Sequence, residues 1–312
     1  MRLPLLTTFL TSLMPVLLLS ACSDQGFGTL TFDDTFVQAD VELSTDVLFV
    51  VDDSASMEEE QDRLASNFGA FVEVLASSYA DWQVGVVTTD VDSETAGMLR
   101  GGLLTAATPD LDAAFRAAVV AGTEGSRDER GLAAAVLAVD PERNPGFVRG
   151  GSRFNVVFVS DEDDHSPAAV SDYLGRIEAV AGAEFGAHAL VGDLPAGCAS
   201  GTSAADPGGR YLDAAETTLG FVESICADDY TGLLTRVGLD VSGLADTFAL
   251  SRLPSEDSLE VRVEGVLIPE RAADGWTYSL GDNAIVFHGR AVPRAGMGIV
   301  VTYLKWLGPE PE

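Results

Sequence analysis

Short apolar runs that alternate with helical patterns are the feature that most limits how this chain can fold. Residues 47–51, 84–87 and 154–159 are rich in β-branched and aromatic side chains, which is typical of strands covered on both faces. Residues 187–191 form a shorter and weaker run of the same kind. Apolar side chains recur at helical spacing in the intervening segments 64–75, 111–119, 132–137 and 170–180. The alternation predicts an α/β fold with a doubly wound, mostly parallel sheet.

The pattern changes near residue 247. Apolar and charged residues alternate over 259–263, which indicates a half-buried strand. Residues 276–287 predict a hairpin around Gly281-Asp282-Asn283, and 297–303 predict a last strand. We therefore expect an α/β domain at 46–245 and a small antiparallel β module at 247–308. A unit of this size buries little core alone, so we expect it to pack against the larger domain.

The N-terminus has the pattern of an export signal. Arg2 precedes a mainly apolar run at 3–19, and Leu19-Ser20-Ala21-Cys22 resembles a bacterial lipobox. The resemblance implies a signal peptide at 1–21 and a lipid on Cys22, which would anchor the protein in the cell envelope. An ordinary signal peptide and an uncleaved anchor are the alternatives, although the run is short for a spanning helix. The polar, acidic segment 22–45 is interpreted as a tether.

Cys198 and Cys226 are the two cysteines that remain after Cys22. An even pair in an exported chain predicts a disulfide. A cysteine metal site is the alternative, but the two residues have no nearby histidines and no C-x-x-C spacing.

Charge restricts the partners. The chain has 49 acidic and 18 basic residues, for a formal net charge of -31. Nucleic acids and anionic lipid head groups are attracted by basic side chains, so neither is an expected partner of this surface.

Two loops rich in oxygen ligands follow buried strands. Asp52-Asp53-Ser54-Ala55-Ser56 comes after the first apolar run, and Ser160-Asp161-Glu162-Asp163-Asp164 comes after the third. Ligands of open α/β sheets bind beyond the carboxyl ends of the strands, so both loops should lie at one edge. Hydroxyl and carboxylate oxygens suit Mg²⁺, Ca²⁺ or Mn²⁺.

The D-x-S-x-S loop between a buried strand and an amphipathic helix resembles the metal-ion-dependent adhesion site of the von Willebrand factor A family, and the resemblance covers about 46–245. It implies the Rossmann-like fold of that family. It also implies that Ser54 and Ser56 ligate a cation, that Asp52 holds bound waters and that Asp161 completes this side of the site.

Other positions of the site are open. The family's threonine corresponds either to Ser126 or to Thr123, and Asp163 is a further possible ligand. The chain departs from the family pattern at Asp53, where a neutral residue is more usual. Extra carboxylates raise affinity for a cation but repel an acidic ligand. Alternatively, these acidic residues are a solvated rim or helix caps.

Three functions follow from these features. The first is a non-catalytic envelope lipoprotein that uses the cation to engage a protein or surface polymer in adhesion or assembly. The second is a metal-dependent hydrolase in which Asp52, Asp161, Asp163 and Asp164 activate water. It lacks a convincing general base, since His165 is expected to face solvent, and the sequence has no H-E-x-x-H or G-x-S-x-G motif. The third is an envelope scaffold that binds no metal.

Overall fold

The structure is a computed structural model that describes residues 30–39, 44–78, 80–126, 128–182, 185–201 and 203–305. The predicted signal peptide, Cys22 and the start of the tether lie outside the described residues. The strands are β1 (Thr31–Val37), β2 (Ser44–Val51), β3 (Asp81–Thr88), β4 (Leu104–Thr105), β5 (Arg153–Ser160), β6 (Phe185–Val191), β7 (Cys198–Ser200), β8 (Ser203–Ala205), β9 (Val222–Ser224), β10 (Thr247–Ala249), β11 (Glu260–Val263), β12 (Val266–Ile268), β13 (Gly275–Ser279), β14 (Ala284–His288) and β15 (Gly298–Leu304). The helices are α1 (Glu58–Ala76), α2 (Leu111–Val119), α3 (Gly131–Ala138), α4 (Val170–Ala181), α5 (Gly209–Thr217) and α6 (Thr231–Ser242). Among the helices of these ranges, none combines the length and apolar character that a membrane crossing requires.

The central sheet has six strands in the order β4-β3-β2-β5-β6-β9. All neighbouring pairs are parallel except β3 with the short edge strand β4. The predicted fold class, α/β with a mostly parallel sheet, is confirmed.

The order of the strands creates a crevice between β2 and β5. From β2 the chain crosses over to β3 on one side, and from β5 it crosses over to β6 on the other. The two connections therefore leave in opposite directions, which is the switch point where open α/β sheets bind ligands.

Each face of this sheet is covered by three helices. Side chains alternate along β2, so Phe49 faces one layer and Leu48 faces the other. The first core contains residues of α1, α2 and α6 around Phe68 and Phe115. The second contains residues of α3, α4 and α5 around Tyr211. Because both faces are buried, β2 and β5 are apolar along almost their whole length.

A smaller module consists of two antiparallel sheets, β1-β15-β11-β12 and β10-β14-β13. They enclose a separate core that includes Phe248, Trp276 and Phe287. The module packs against the α/β domain as expected, because Val292 contacts the cluster formed by Val74, Leu239 and Leu244.

The interpretation of 22–45 as a tether is wrong for Thr31–Val37. These residues form β1, which pairs with β15 along its whole length, from Thr31 opposite Leu304 to Val37 opposite Gly298. The small module thus takes its first strand from the N-terminal side of the α/β domain. The apolar alternation of β1 is interrupted in the sequence, because Asp34 lies on the inward face between Phe32 and Phe36. There its carboxylate accepts a hydrogen bond of 2.8 Å from the Tyr303 hydroxyl.

The predicted disulfide is confirmed. Cys198 and Cys226 are bonded, with sulfur atoms 2.07 Å apart. The bond joins the hairpin β7-β8 to the segment that follows β9 at the sheet edge.

Candidate metal site

The two predicted ligand loops lie at the carboxyl ends of β2 and β5, beside the crevice between those strands. β2 ends at Val51 and β5 ends at Ser160, so Asp52 and Asp161 are the first residues beyond them. The Asp52 amide continues the ladder by donating to the Val159 carbonyl at 2.9 Å. Both aspartates are buried. The sheet therefore brings two loops that are more than 100 residues apart to the same place.

Asp52 organises the loop that contains it. One carboxylate oxygen accepts a hydrogen bond of 2.7 Å from the Ser54 amide, and the other accepts one of 2.6 Å from the Ser160 hydroxyl. Burial raises the pKa of Asp52, and these hydrogen bonds oppose the rise. Asp52 thus fixes the turn that carries Ser54 and ties it to the end of β5.

Ser54, Ser56 and Asp161 form a continuous set of oxygen atoms. The Ser54 and Ser56 hydroxyl oxygens are 3.3 Å apart, and the Ser56 hydroxyl lies close enough to the Asp161 carboxylate to lower its pKa. Ser54 is buried, whereas Ser56 is exposed, so the set opens to solvent on the Ser56 side. Burial raises the pKa of Asp161 to about 6, the Ser56 hydroxyl opposes the rise, and the charges of Asp52 and Glu60 add to it.

Unpartnered carboxylate oxygens are concentrated here. We use the term acidic cluster for Asp52, Asp53, Glu60, Glu129 and Asp161, whose charges act on one another. In the described ranges, six buried side-chain polar atoms have no hydrogen-bond partner, and four of them are oxygens of Asp53, Glu60, Glu129 and Asp161. Such atoms are costly unless something satisfies them.

A divalent cation fits this arrangement. Hard cations take oxygen ligands. The Ser54 and Ser56 hydroxyls and the unpartnered carboxylate oxygens of the acidic cluster offer such ligands. Over the same residues, no group of three or more His, Cys, Asp or Glu side chains is already arranged around one point as a metal site. The fit depends on the serine hydroxyls as well as the carboxylates.

Solved structures that match this chain share its fold at low sequence identity. The pilus adhesin SpaC from Lactobacillus rhamnosus GG has 11% identity and a TM-score of 0.50, and the match covers 88% of this chain and 41% of SpaC. A von Willebrand factor type A protein from Catenulispora acidiphila has 13% identity and a TM-score of 0.41, with 90% of this chain and 62% of that one covered. Proximal thread matrix protein 1 from the mussel byssus, solved with a zinc-occupied MIDAS motif, has 14% identity and a TM-score of 0.40, with 70% and 52% covered.

The match to SpaC shows a shared fold, and the mostly parallel α/β sheet is consistent with the von Willebrand factor A fold that the D-x-S-x-S loop predicts. At 11% identity the likeness to SpaC concerns the fold alone. No family model matches the sequence, and no curated protein matches it. The chain spans less than two thirds of the length of each of these three structures.

Ser126 and Thr123, the two candidates for the threonine position, both lie in the loop that precedes α3. The Ser126 hydroxyl accepts a hydrogen bond of 3.0 Å from the Asp128 amide and so belongs to a local turn. Thr123 is half-buried and lies two residues before Gly125, whose amide donates to the Asp53 carbonyl at 2.9 Å. It is Glu129, further along the same loop, whose charge interacts with Asp52.

Glu60 and Glu129 are the residues of the acidic cluster that sequence reasoning missed, and Glu129 is the one whose charge interacts with that of Asp52. The Glu129 side chain is fully buried, the Thr89 hydroxyl donates to one carboxylate oxygen, and the other oxygen has no partner. Burial raises the pKa of Glu129 to about 9, and the negative charge of Asp52 adds to the rise. The available signal was its position two residues before α3, at the same sheet edge as the motif loops.

Asp163 and Asp164 both accept hydrogen bonds from protein groups. Asp163 accepts a hydrogen bond of 2.8 Å from the Arg210 amide in the first turn of α5. Asp164 accepts one of 3.0 Å from the Leu132 amide at the start of α3, and its other oxygen pairs with the Arg210 guanidinium at 2.9 Å. Carboxylates stabilise helix N-termini in this way. These two aspartates hold the helices beside the site.

Proposed function

We propose that this chain is a binding module of the bacterial envelope that holds a divalent cation at Ser54, Ser56 and Asp161, with Asp52 positioning the loop and bound waters. The observation that carries the proposal is the buried, unpartnered oxygen of Asp161 beside two serine hydroxyls at the sheet's switch point. A cation held by so few protein ligands keeps exchangeable water positions. An oxygen atom of a protein or surface polymer can replace one of these waters, which binds the partner without breaking a covalent bond.

Export and anchoring are part of the proposal. Residues 1–21 supply the signal peptide and Cys22 the lipid, which places the module on the periplasmic face or the cell surface. The disulfide between Cys198 and Cys226 is compatible with an oxidising compartment. A net charge of -31 argues against nucleic acid as the partner.

The hydrolase alternative loses support from the site geometry. It needs Asp163 and Asp164 as free carboxylates, yet both accept hydrogen bonds from helix N-termini or Arg210. The candidate base His165 has an exposed side chain, with its Nδ1 atom 3.8 Å from a carboxylate oxygen of Asp128. A non-catalytic role is therefore the function that the geometry supports best.

We expect the folded protein to bind Mg²⁺, Ca²⁺ or Mn²⁺ saturably, and we expect a Ser54→Ala, Ser56→Ala variant to bind at least about tenfold more weakly. The variant removes two ligand hydroxyls and leaves every carboxylate in place. Isothermal titration calorimetry measures the dissociation constant for each cation. A thermal melt provides a second readout, because a cation present at 100 times its dissociation constant stabilises the native state by about 2.7 kcal/mol.

Ser171→Ala is the matched control, because Ser171 is exposed on α4, outside the acidic cluster. It should bind cations like the wild type. If the folded wild type binds none of the three cations, the proposal is wrong and the metal-free scaffold is favoured. If cations bind but a recovered partner stays bound in EDTA, the cation has no part in recognition.

A further inference from the structure

Glu129 reaches the acidic cluster from a third segment of the chain, the loop that precedes α3. Neither the D-x-S-x-S loop nor the loop after β5 contains it. It is fully buried, and its unpartnered oxygen belongs to the set of orphaned oxygens that includes those of Asp53 and Asp161. Its charge is coupled to those of Asp52 and Asp53. A buried carboxylate with a free oxygen requires a compensating positive charge or a proton.

The main chain holds Glu129 firmly. The Arg130 amide donates to the Thr89 carbonyl at 3.3 Å, just beyond the end of β3. The His165 amide donates to the Glu129 carbonyl at 2.6 Å, from the loop after β5. With the Thr89 hydroxyl bonded to one carboxylate oxygen, the direction of the side chain is set as well. A site built on fixed elements of this kind is preorganised to hold a ligand.

The same loop packs closely on Asp53. A Cβ atom added to Gly125 would lie 2.3 Å from a carboxylate oxygen of Asp53 and 2.8 Å from its carbonyl oxygen. The contact leaves no space for a larger side chain between this loop and the motif loop. The loop therefore adjoins Asp53 through Gly125, and the Glu129 carboxylate is close enough to Asp52 and Asp53 for their charges to raise its pKa.

We propose that Glu129 is a direct ligand of the cation, and that the loaded site consequently accepts a neutral oxygen donor from its partner, a hydroxyl or carbonyl, and rejects a carboxylate. This inference rests on the proposed function. Asp52, Asp161 and Glu129 together bring three negative charges to a cation with two positive charges. A hydroxyl from Ser126 or Thr123 in place of Glu129 would bring one charge fewer. The loaded site remains negative and repels an acidic side chain, while a neutral oxygen meets no such repulsion.

The first test measures Mn²⁺ binding from the electron paramagnetic resonance signal of the free ion. Glu129→Gln keeps the shape and hydrogen-bonding capacity of the side chain but removes the charge, and its Mn²⁺ dissociation constant should rise about 10- to 100-fold. Glu124→Gln is the matched control, because Glu124 is exposed on the same loop. Its dissociation constant should stay within about twofold of the wild type, since exposed charges are screened.

The second test uses acetate as the carboxylate probe on Mn²⁺-loaded protein, with water proton relaxation reporting metal-bound water. Acetate should leave the relaxation of the wild type unchanged and lower it in Glu129→Thr, which has the neutral ligand. The wild-type measurement needs no variant, so it remains decisive even if a variant fails to fold. Displacement of water by acetate from the wild type would overturn the inference.

The outcomes separate this inference from the proposed function. If the folded wild type binds no Mn²⁺, the proposed function fails and takes the inference with it. If the wild type binds Mn²⁺ and folded Glu129→Gln binds it equally well, the cation site stands and Glu129 is only a buried, protonated acid. If Glu129→Gln binds Mn²⁺ more weakly and acetate displaces no water from the loaded wild type, the result supports both the proposed function and the role of Glu129.

Discussion

Replacing Arg149 by alanine is expected to lower the free energy of unfolding by about 3–5 kcal/mol. The Arg149 Nε atom donates to one carboxylate oxygen of Asp46 at 2.7 Å, and the Arg149 backbone amide donates to the other at 2.7 Å. The Asp46 side chain is fully buried, at the start of the central strand β2. Burial raises the pKa of Asp46, and the bonds to Arg149 oppose the rise. The variant would leave a buried carboxylate with the backbone amide but without its cation.

The effect should be measured by urea unfolding, with Arg116→Ala as the matched control. Arg116 pairs with Asp62 at 2.9 Å, but both side chains are exposed, at 47% and 63%. An exposed pair contributes only about 0.2–1 kcal/mol. Similar losses in the two variants would contradict the argument, because burial of the partner is the feature that distinguishes them.

The sequence predicts a strand well where both of its faces are buried. β2 and β5 are buried on both faces, so their composition is apolar throughout and is legible without any partner. β9 has three residues, Val222–Ser224, and pairs only with β6, so a short polar segment needs the sheet to define it. β1 is not recognisable as a strand from local sequence, because its pairing partner, β15, is more than 250 residues away. Long-range pairing is the information that local periodicity lacks.

One missed helix carried a readable signal. α6 buries Leu233, Leu234, Val237 and Val241 at helical spacing, a pattern that predicts a helix as clearly as α1 does. α5 is harder to read, because its buried face consists of Tyr211, Ala214 and Ala215 and it begins at Gly209.

The residues of the site also differ in how far local sequence predicts them. Asp52, Ser54, Ser56 and Asp161 could be placed together because strand ends meet at a sheet edge and the motif directly follows a strand. Glu129 could not, because a glutamate before a helix is ordinarily a solvated or capping residue. Its burial depends on Thr89 and His165, which come from two other loops. Only the three-dimensional arrangement distinguishes this glutamate from exposed Glu124.

Acidification from pH 6.5 to pH 4 is expected to cost the wild type about 3 kcal/mol of stability through His188 alone. His188 is buried in β6, where the Phe221 amide donates to Nδ1 at 3.0 Å and Nε2 donates to the Asn155 side-chain carbonyl at 3.2 Å. Both ring nitrogens are thus committed in the neutral form. Burial lowers the pKa of His188 from 6.5 to about 4, and the positive charges of Arg236 and Arg153 lower it further.

The sign follows from proton uptake. Between pH 6.5 and about 4 the unfolded chain binds a proton at this histidine and the folded chain does not, so protonation favours unfolding. The stability that neutral His188 contributes is complete above pH 6.5 and is lost below about pH 4. Between these two pH values it falls by about 1.4 kcal/mol per pH unit. Asp161, whose pKa is raised to about 6, changes stability in the opposite direction. Asp161 is present in both the wild type and a His188→Gln variant. The difference between their unfolding free energies therefore contains no contribution from Asp161.

The measurement is the free energy of unfolding at several pH values for the wild type, His188→Gln and His165→Gln. His165 is exposed, so its variant should follow the wild-type curve. The His188→Gln curve should lack the loss between pH 6.5 and 4, because glutamine does not titrate. Nuclear magnetic resonance of the wild-type imidazole gives the pKa of His188 directly and does not depend on the variant folding. A His188 pKa near 6.5 in the folded protein would refute the prediction, since burial and two committed ring nitrogens would then have no energetic consequence.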